Sequence, residues 1–282
     1  MPHFVEAYSQ ETKAIVPENG FHGLLLDFDD TITSPFIPAG RLKGQRIHDI
    51  SRILAAKELG IEIGNEILTN LTPQQSEESY VKAAEPTLEG SIAYLFKKAG
   101  IFDSQIDYDA SDERFQSLIK KRSELHTRLL ETYVGLNPGA QELMTFAHRN
   151  LKHGLAIASM AKISDIRIVL DKFDLGELIP EDRIISGDLV RRPKPNREAF
   201  DRAYHALGIP STGNAKLDSK IRLQTIAIDD SRGGVASAHS SGCFTAGLTT
   251  NLPAEAFGDT QAHVVLPSLR VAKTILKNNV AA

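Results

Sequence analysis

Residues 23–31 read GLLLDFDDT, a short apolar run that ends in three carboxylates and a hydroxyl. An apolar run of this length, bounded by polar residues, is typical of a strand that is buried on both faces. Acidic side chains at the carboxyl end of such a strand lie at the edge where parallel sheets bind their ligands. The stretch therefore predicts a central strand with polar chemistry at its end.

Two of these acids, Asp27 and Asp29, are expected to share one face of the chain, because successive side chains of an extended segment alternate. Two carboxylates so close together repel each other unless a cation lies between them or they share a proton. Mg²⁺ suits the first case, since it prefers oxygen ligands and keeps waters that a phosphate can displace. From this stretch alone, a magnesium site and a solvated acidic loop both remain open.

Length and composition narrow the class of protein. The chain has 282 residues, a formal charge of −4 and one cysteine, Cys243. This length allows one large or two modest domains, and the acidic balance argues against a nucleic-acid-binding role. One cysteine excludes an internal disulfide and a cysteine-based metal site. No stretch is typical of a signal peptide or a membrane span, so we expect a cytoplasmic protein with a short polar leader; the oligomeric state is not predicted.

The segment 37–135 shows helical periodicity and no convincing strand pattern, which predicts an all-helical module inserted after the first strand. It is followed by Asn137-Pro138-Gly139, where Asn137 is a candidate N-cap for the next helix. Cationic side chains near the start of the module, Arg41, Lys43 and Arg46, are candidates for contact with an anionic substrate or for a solvated helix face.

Strand and helix patterns alternate after residue 153, which is typical of a parallel sheet with right-handed crossovers. The predicted strands are 154–159, 183–186, 225–228, 244–247 and 263–266; the predicted helices are 163–173, 197–207, 234–241 and a closing helix; 211–220 is predicted to be a surface loop. The fold class is therefore α/β, a Rossmann-like parallel sheet sandwiched by helices, with an inserted all-helical cap domain. We expect the core to comprise 1–36 and 136–282, and the cap 37–135.

Two isolated polar residues also fall at strand ends or loops of this core. Ser159 follows the apolar run 155–158, where a hydroxyl can donate to a phosphate oxygen or can cap the next helix. Lys194 lies between two prolines, which stiffen the backbone and fix the direction of its ammonium group. Such a charge can stabilise the nucleophilic carboxylate and a transferring phosphoryl group; the alternative is a solvated basic loop, which is our interpretation of Arg191 and Arg192.

A second apolar run, residues 226–228, ends in the acids Asp229 and Asp230 and is followed by Ser231 and two glycines. One acidic strand end arises easily by chance. Two in a single parallel sheet, with a hydroxyl and a lysine between them in sequence, favour a shared site. A magnesium ion bridging the two acidic ends would explain why both are present.

Taken in order, the segments 27–31, 159, 194–195 and 229–231 resemble the four motifs of the haloacid dehalogenase-like (HAD) hydrolase superfamily. The helical insert resembles the C1 cap of the branch that contains phosphoglycolate phosphatase and β-phosphoglucomutase. The chain departs from the usual pattern at Asp30, where glycine is common, and at Pro193 before the lysine. A short polar residue such as Asp30 tolerates a left-handed backbone better than most.

This resemblance implies a magnesium-dependent phosphatase that hydrolyses a small phosphorylated metabolite through an aspartyl-phosphate intermediate. By the same resemblance, Asp27 is the nucleophile and Asp29 the general acid and base. Thr31, Ser159 and Lys194 contact the phosphoryl group, and Lys194 also stabilises charge. The implied magnesium ligands are Asp27, the backbone carbonyl of Asp29, and Asp230, with Asp229 bound directly or through water.

Two other functions remain open at this point. A β-phosphoglucomutase-like phosphosugar mutase would use the same residues and differ in whether water is excluded while a bisphosphate reorients. A phospho-aspartate signalling module also combines acids, a hydroxyl and a lysine, but it is smaller and lacks a large helical insert. A dehalogenase would lack the second acid, so Asp29 favours phosphate chemistry.

Overall fold

The computed structural model describes residues 3–4, 15–61, 71–83, 88–100 and 113–281. The chain divides into two compact units. The first comprises Met1–Pro35 and Leu136–Ala282, and the second comprises Phe36–Gly135. The leader predicted for residues 1–20 lies largely outside the described residues.

The first unit is built on a seven-stranded parallel sheet with the strand order β1-β7-β6-β5-β2-β3-β4. The strands are β1 (His3–Phe4), β2 (Gly23–Leu26), β3 (Leu155–Ala158), β4 (Ile184–Ile185), β5 (Thr225–Asp229), β6 (Phe244–Leu248) and β7 (Val264–Leu266). The stretch that opened the sequence analysis therefore lies in the middle of the sheet, between β5 and β3. The predicted α/β fold with a parallel sheet is confirmed.

The sheet is buried on both faces, as continuous apolar strands require. Leu25 packs with Phe200 and Ala238 in one apolar cluster. Leu24 and Leu26 point to the other face by alternation, and both are fully buried. Helices therefore cover the two faces of the sheet. Polar side chains lie at the ends of the strands.

The described helices of this unit are α5 (Ala140–Asn150), α6 (Ile163–Lys172), α7 (Glu198–Ala206), α8 (Ala215–Arg222), α9 (Arg232–Ser240) and α10 (Leu269–Asn278). Helix α10 begins where the Ser268 hydroxyl accepts from Val271 N, and α9 begins where Ser231 accepts from Gly234 N. Helices α7 and α9 pack against each other, as do α5 and α10.

The second unit contains the helices α1 (Ile47–Glu58), α2 (Pro73–Lys82), α3 (Leu88–Lys98) and α4 (Glu113–Tyr133). Its apolar cluster joins Ala55 of α1 to Phe96 of α3 and to Leu118 of α4. A reciprocal pair of hydrogen bonds between Thr72 and Gln75 fixes the start of α2. In the described part of this unit, the regular secondary structure is helical.

The structure corrects three predictions in the first unit. Residues 211–220 are not a loop throughout, because α8 begins at Ala215 with its N-terminal amides bonded to the Asn214 side chain. The N-terminal segment is not wholly a leader, since β1 pairs with β7 at the sheet edge. Asn137 does not cap α5; Gly139 holds that position with a left-handed φ of 94°.

None of the described helices combines the length and the apolar character needed to cross a bilayer.

Candidate active site

The two acidic strand ends lie side by side at one edge of the sheet. Leu26 of β2 is in register with Ile228 of β5, and Asp27 N donates to Ile228 O at 3.0 Å. Asp27 therefore follows its strand next to Asp229, the last residue of β5. The parallel pairing of β2 with β5 brings together Asp27 and Asp229, which are 202 positions apart in the chain.

Three buried carboxylates converge at this edge. Asp27, Asp229 and Asp230 each present one carboxylate oxygen, and these oxygens all lie within 4.8 Å of one another. The three side chains are almost entirely removed from solvent. Such a cluster requires compensation, because burial of like charges at this spacing is strongly unfavourable.

Lys194 supplies part of that compensation. Its Nζ donates to Asp27 Oδ1 at 2.5 Å, to Asp229 Oδ2 at 2.8 Å and to Ala158 O at 2.8 Å. The ammonium also lies 4.8 Å from the centre of the Phe200 ring, which favours a cation over its face. The lysine predicted to stabilise charge is thus a buried cation in contact with two of the three acids.

Hydrogen bonds to both carboxylate oxygens hold Asp229 in place. Its Oδ1 accepts from Ser231 N at 2.9 Å and from Ser231 Oγ at 2.8 Å, while Lys194 occupies Oδ2. A Cβ at Gly234 would lie 1.9 Å from the Asp229 carboxyl group, so only glycine fits there. The glycine after the acidic pair therefore lets the start of α9 approach the carboxylate.

Asp230 is held by two other side chains, Thr31 and Asn251. Its Oδ1 accepts from Thr31 Oγ1 at 3.0 Å, and its Oδ2 accepts from Asn251 Nδ2 at 2.7 Å. The same Asn251 group donates to Asp30 Oδ2 at 2.6 Å. Asp30 is thus a fourth acidic side chain next to the cluster, and it accepts from the same amide nitrogen as Asp230.

The cluster carries more negative charge than one lysine neutralises. Burial raises the pKa of Asp27 to about 8, although the Lys194 ammonium opposes this rise and the Asp229 carboxylate adds to it. Burial also raises the pKa of Asp230 well above its usual value, with further repulsion from Asp30, Asp229 and Asp27. For Lys194, burial favours the neutral amine, but the attraction of Asp229 and Asp27 outweighs it and raises the pKa.

These features suit a divalent cation. The excess of negative charge, the spacing of three carboxylate oxygens and their burial match the preference of hard cations for oxygen ligands. A cation would favour the ionised forms that burial disfavours. We therefore find that the donor set fits the metal that the sequence implied, with Asp27, Asp229 and Asp230 as the carboxylates that the structure brings together.

Two predicted residues lie beside this cluster with other contacts. Ser159 follows β3 and is buried, and its Oγ accepts from Ala161 N at 2.9 Å. Because helix α6 begins only at Ile163 after Lys162, Ser159 is not its N-cap. Asp29 is partly exposed, and its carboxylate is not among the three that converge. The phosphate-binding role of Ser159 and the acid–base role of Asp29 stay predictions.

Thr31 was predicted to bind phosphate through its hydroxyl. In the structure the Thr31 hydroxyl donates to Asp230 Oδ1, and Thr31 is fully buried. Its role at the phosphoryl group also stays a prediction.

Sequence reasoning missed three polar residues that shape this edge. Asn137 Nδ2 donates to the backbone carbonyls of Asp30 and Thr31, at 2.7 and 2.9 Å. Thr250 Oγ1 donates to Asp30 O at 2.8 Å, and Asn251 bridges two acids. The only sequence signal for the last two was their position in the loop after the buried strand β6, a weaker form of the signal that singled out Asp27.

Comparison with known families identifies the fold and the class of enzyme. A sequence profile of the haloacid dehalogenase-like hydrolases matches residues 51–248, more than two thirds of the chain. The protein belongs to this family. The match includes Ser159, Lys194 and the acidic pair Asp229 and Asp230 at the end of β5. It begins after Asp27, and the structure places Asp27 beside that pair. Membership of a hydrolase family favours an enzyme over a signalling module.

Solved structures with the same fold include two bacterial proteins. One is a predicted phosphoglycolate phosphatase from Haemophilus somnus 129PT, with 18% identity and a TM-score of 0.62 over 92% of this chain and 97% of that one. The other is CbbY from Rhodobacter sphaeroides in complex with phosphate, with 19% identity and a TM-score of 0.62 over 88% and 95%. At these identities the likeness shows the fold alone. No match was found among curated protein sequences.

Proposed function

We propose that this HAD-family hydrolase is a magnesium-dependent phosphatase that acts on a small phosphorylated metabolite through an aspartyl-phosphate at Asp27. The observation that carries the proposal is the convergence of the Asp27, Asp229 and Asp230 carboxylates, with the Lys194 ammonium bonded to two of them. Carboxylates and one cation at a strand edge suit phosphoryl transfer, which depends on positioning and on charge stabilisation.

In the first step of this proposal, Asp27 attacks phosphorus through a carboxylate oxygen. A bond forms between that oxygen and phosphorus, the ester P–O bond breaks, and Asp29 gives a proton to the departing alcohol oxygen. In the second step, Asp29 takes a proton from water, the water oxygen bonds to phosphorus, and the bond between phosphorus and the Asp27 oxygen breaks. Inorganic phosphate leaves, and both carboxyl groups return to their starting protonation states.

Lys194 has two tasks in this scheme. Its contact with Asp27 favours the ionised form of the nucleophile, in opposition to burial. As a buried cation it also stabilises the negative charge of the phosphoryl group. We assign a further hydrogen bond to a phosphoryl oxygen to the hydroxyl of Ser159, whose Oγ accepts from Ala161 N and keeps its own proton, whereas Thr31 gives its one hydroxyl proton to Asp230.

Mg²⁺, held by Asp27, Asp229, Asp230 and the backbone carbonyl of Asp29, would supply positive charge that neutralises the phosphate and the acids around it. Asp229 and Asp230 must be correctly oriented for this purpose. The hydrogen bonds from Ser231, Thr31 and Asn251 provide that orientation. We propose that the helical unit Phe36–Gly135 acts as the cap that selects the substrate.

Named relatives are compatible with a small phosphorylated substrate. CbbY of Rhodobacter sphaeroides has been solved with phosphate, and an aspartate-to-asparagine mutant of it with xylulose-1,5-bisphosphate. These ligands support a search among sugar phosphates.

The test is phosphate release from sugar phosphates, phosphoglycolate, nucleoside monophosphates and an aryl phosphate, with Mg²⁺ or with excess chelator. We expect release with Mg²⁺, loss of at least about a hundredfold in chelator, and recovery when Mg²⁺ is restored in excess. Full release in chelator would overturn the metal assignment. Isomerisation of glucose 1-phosphate with a bisphosphate primer, without net phosphate release, would replace the phosphatase by the mutase.

A further inference from the structure

Asn251 lies in the loop after β6, which ends at Leu248, and gives both protons of one amide nitrogen to two different acids. Its Nδ2 donates to Asp30 Oδ2 at 2.6 Å and to Asp230 Oδ2 at 2.7 Å. The reverse orientation of the amide would place its oxygen against two carboxylates, so the chemistry of the neighbours fixes the assignment. The neutral Asn251 amide thus links the carboxylates of Asp30 and Asp230 through one nitrogen atom.

The loop that carries Asn251 also fixes the backbone of Asp30. Thr250 Oγ1 donates to Asp30 O, and Asn137 Nδ2 donates to the same carbonyl. Asp30 has a φ of 57°, in the left-handed region, and is buried. The hydrogen bonds to its carbonyl hold the Asp30 backbone and therefore fix the position of its carboxylate. Asn251, which is bonded to that carboxylate, fixes the orientation of the Asp230 carboxylate.

This arrangement leaves Asp230 partly available. Its Oδ1 is bonded to Thr31 and its Oδ2 to Asn251. Each carboxylate oxygen has two lone-pair directions, so one direction on each oxygen remains for a cation. Partners of this kind, bonded to a ligand rather than to the metal, typically change metal affinity or activity by about 10–100-fold when removed.

We propose that Asn251 is a positioning residue for magnesium binding, which holds Asp230 in its ligating orientation by tying it to Asp30. The inference rests on the proposed function, since it requires Asp230 to bind the metal. It adds a residue pair, Asp30 and Asn251, that acts through Asp230 without contacting the phosphoryl group.

The experiment measures Mg²⁺ binding to the whole protein by calorimetry, without substrate. Asn251→Ala is expected to weaken binding by about tenfold or more. The control is Thr249→Ala in the same loop, whose hydroxyl donates to Leu266 O instead of an acid, and it should bind Mg²⁺ as the wild type does. Wild-type affinity in Asn251→Ala, or an equal loss in the control, would overturn the inference.

A second pair of variants tests the tie to Asp30. Asp30→Gly removes the charge, and glycine readily adopts the left-handed φ at this position. In that background Asn251→Ala should cost less Mg²⁺ affinity than in the wild type, because no second acid faces Asp230 once the amide is gone. An equal cost in both backgrounds would contradict the bridging role.

Asn251→Asp provides a readout that does not depend on metal binding. It keeps the shape but replaces the donor by a carboxylate next to Asp30 and Asp230, so the melting temperature of the metal-free protein should fall. An unchanged melting temperature would contradict the bridge. If the wild type itself bound no Mg²⁺, the proposed function would fail together with this inference, whereas loss of the Asn251 effect alone would leave that function standing.

Discussion

Replacement of Asp27 by asparagine is expected to reduce phosphate release by at least about a thousandfold while the fold is retained. An amide has no negative charge and does not form the phosphoryl bond. Its oxygen still accepts the hydrogen bond that Lys194 Nζ gives to Asp27 Oδ1, so the local packing is kept. Phosphate release at saturating substrate and Mg²⁺ checks the first half, and thermal unfolding checks the second.

The direction of the stability change separates a catalytic loss from a folding defect. A neutral side chain at position 27 removes the cost of burying a carboxylate, which is the largest influence on the pKa of Asp27 and exceeds the attraction of Lys194, so the metal-free variant should melt no lower than the wild type. Asp182→Asn, an exposed acid in the same unit, serves as the control and should keep full activity. Near-wild-type turnover in Asp27→Asn would remove Asp27 from the role of nucleophile.

The second large effect is expected for Lys194→Met, which keeps an unbranched apolar side chain and removes the charge. Phosphate release should fall by about a hundredfold or more, because a preorganised cation at the phosphoryl group is lost. The metal-free protein should also lose stability, since two buried acids lose the ammonium that lies 2.5 Å from Asp27 and 2.8 Å from Asp229. Breaking such a buried contact costs up to about 3–5 kcal/mol, and less where an acid takes up a proton.

Lys216→Met is the matched control for this variant. Lys216 is an exposed lysine at the start of α8 in the same unit, so its removal should change neither turnover nor melting temperature. Urea unfolding of the metal-free proteins measures the stability difference. Activity of Lys194→Met within a few-fold of the wild type would contradict the assignment of Lys194 to charge stabilisation.

The sheet and the acids at its edge were predictable because they depend on local pattern. The runs before Asp27 and Asp229 are continuous and apolar, which only a strand buried on both faces explains well. Parallel pairing then places both strand ends at one edge without further information. The structure confirms this part, with Leu26 in register with Ile228.

Elements that are mostly exposed or very short were predicted less well. Helix α8 has no buried residue in its span Ala215–Arg222, so its polar sequence gave no clear helical face. Strand β1 has only two residues, too few to show alternation. Its place in the sheet comes from pairing with β7, which is a tertiary contact and leaves no local pattern.

The supporting residues of the site were hidden for the same reason. Asn137 looked like a helix cap, because asparagine before a proline and a glycine is typical of one. Its amide instead bonds the carbonyls of Asp30 and Thr31, more than 100 residues earlier in the chain. Asn251 likewise acts on residues that the fold alone brings near it. A single sequence shows which side chains are suited to chemistry, and the fold shows which of them are held in place.

The measurement that tests the central claim most directly is chemical trapping of the covalent intermediate. The protein is mixed with its best substrate and Mg²⁺, quenched, and treated with borohydride, which reduces a phosphoaspartate to homoserine. Peptide mass spectrometry then locates the modified residue. The account predicts homoserine at position 27, formed only when substrate is present. Steady phosphate release with Asp27 unmodified, or with the modification at another acid, would contradict it.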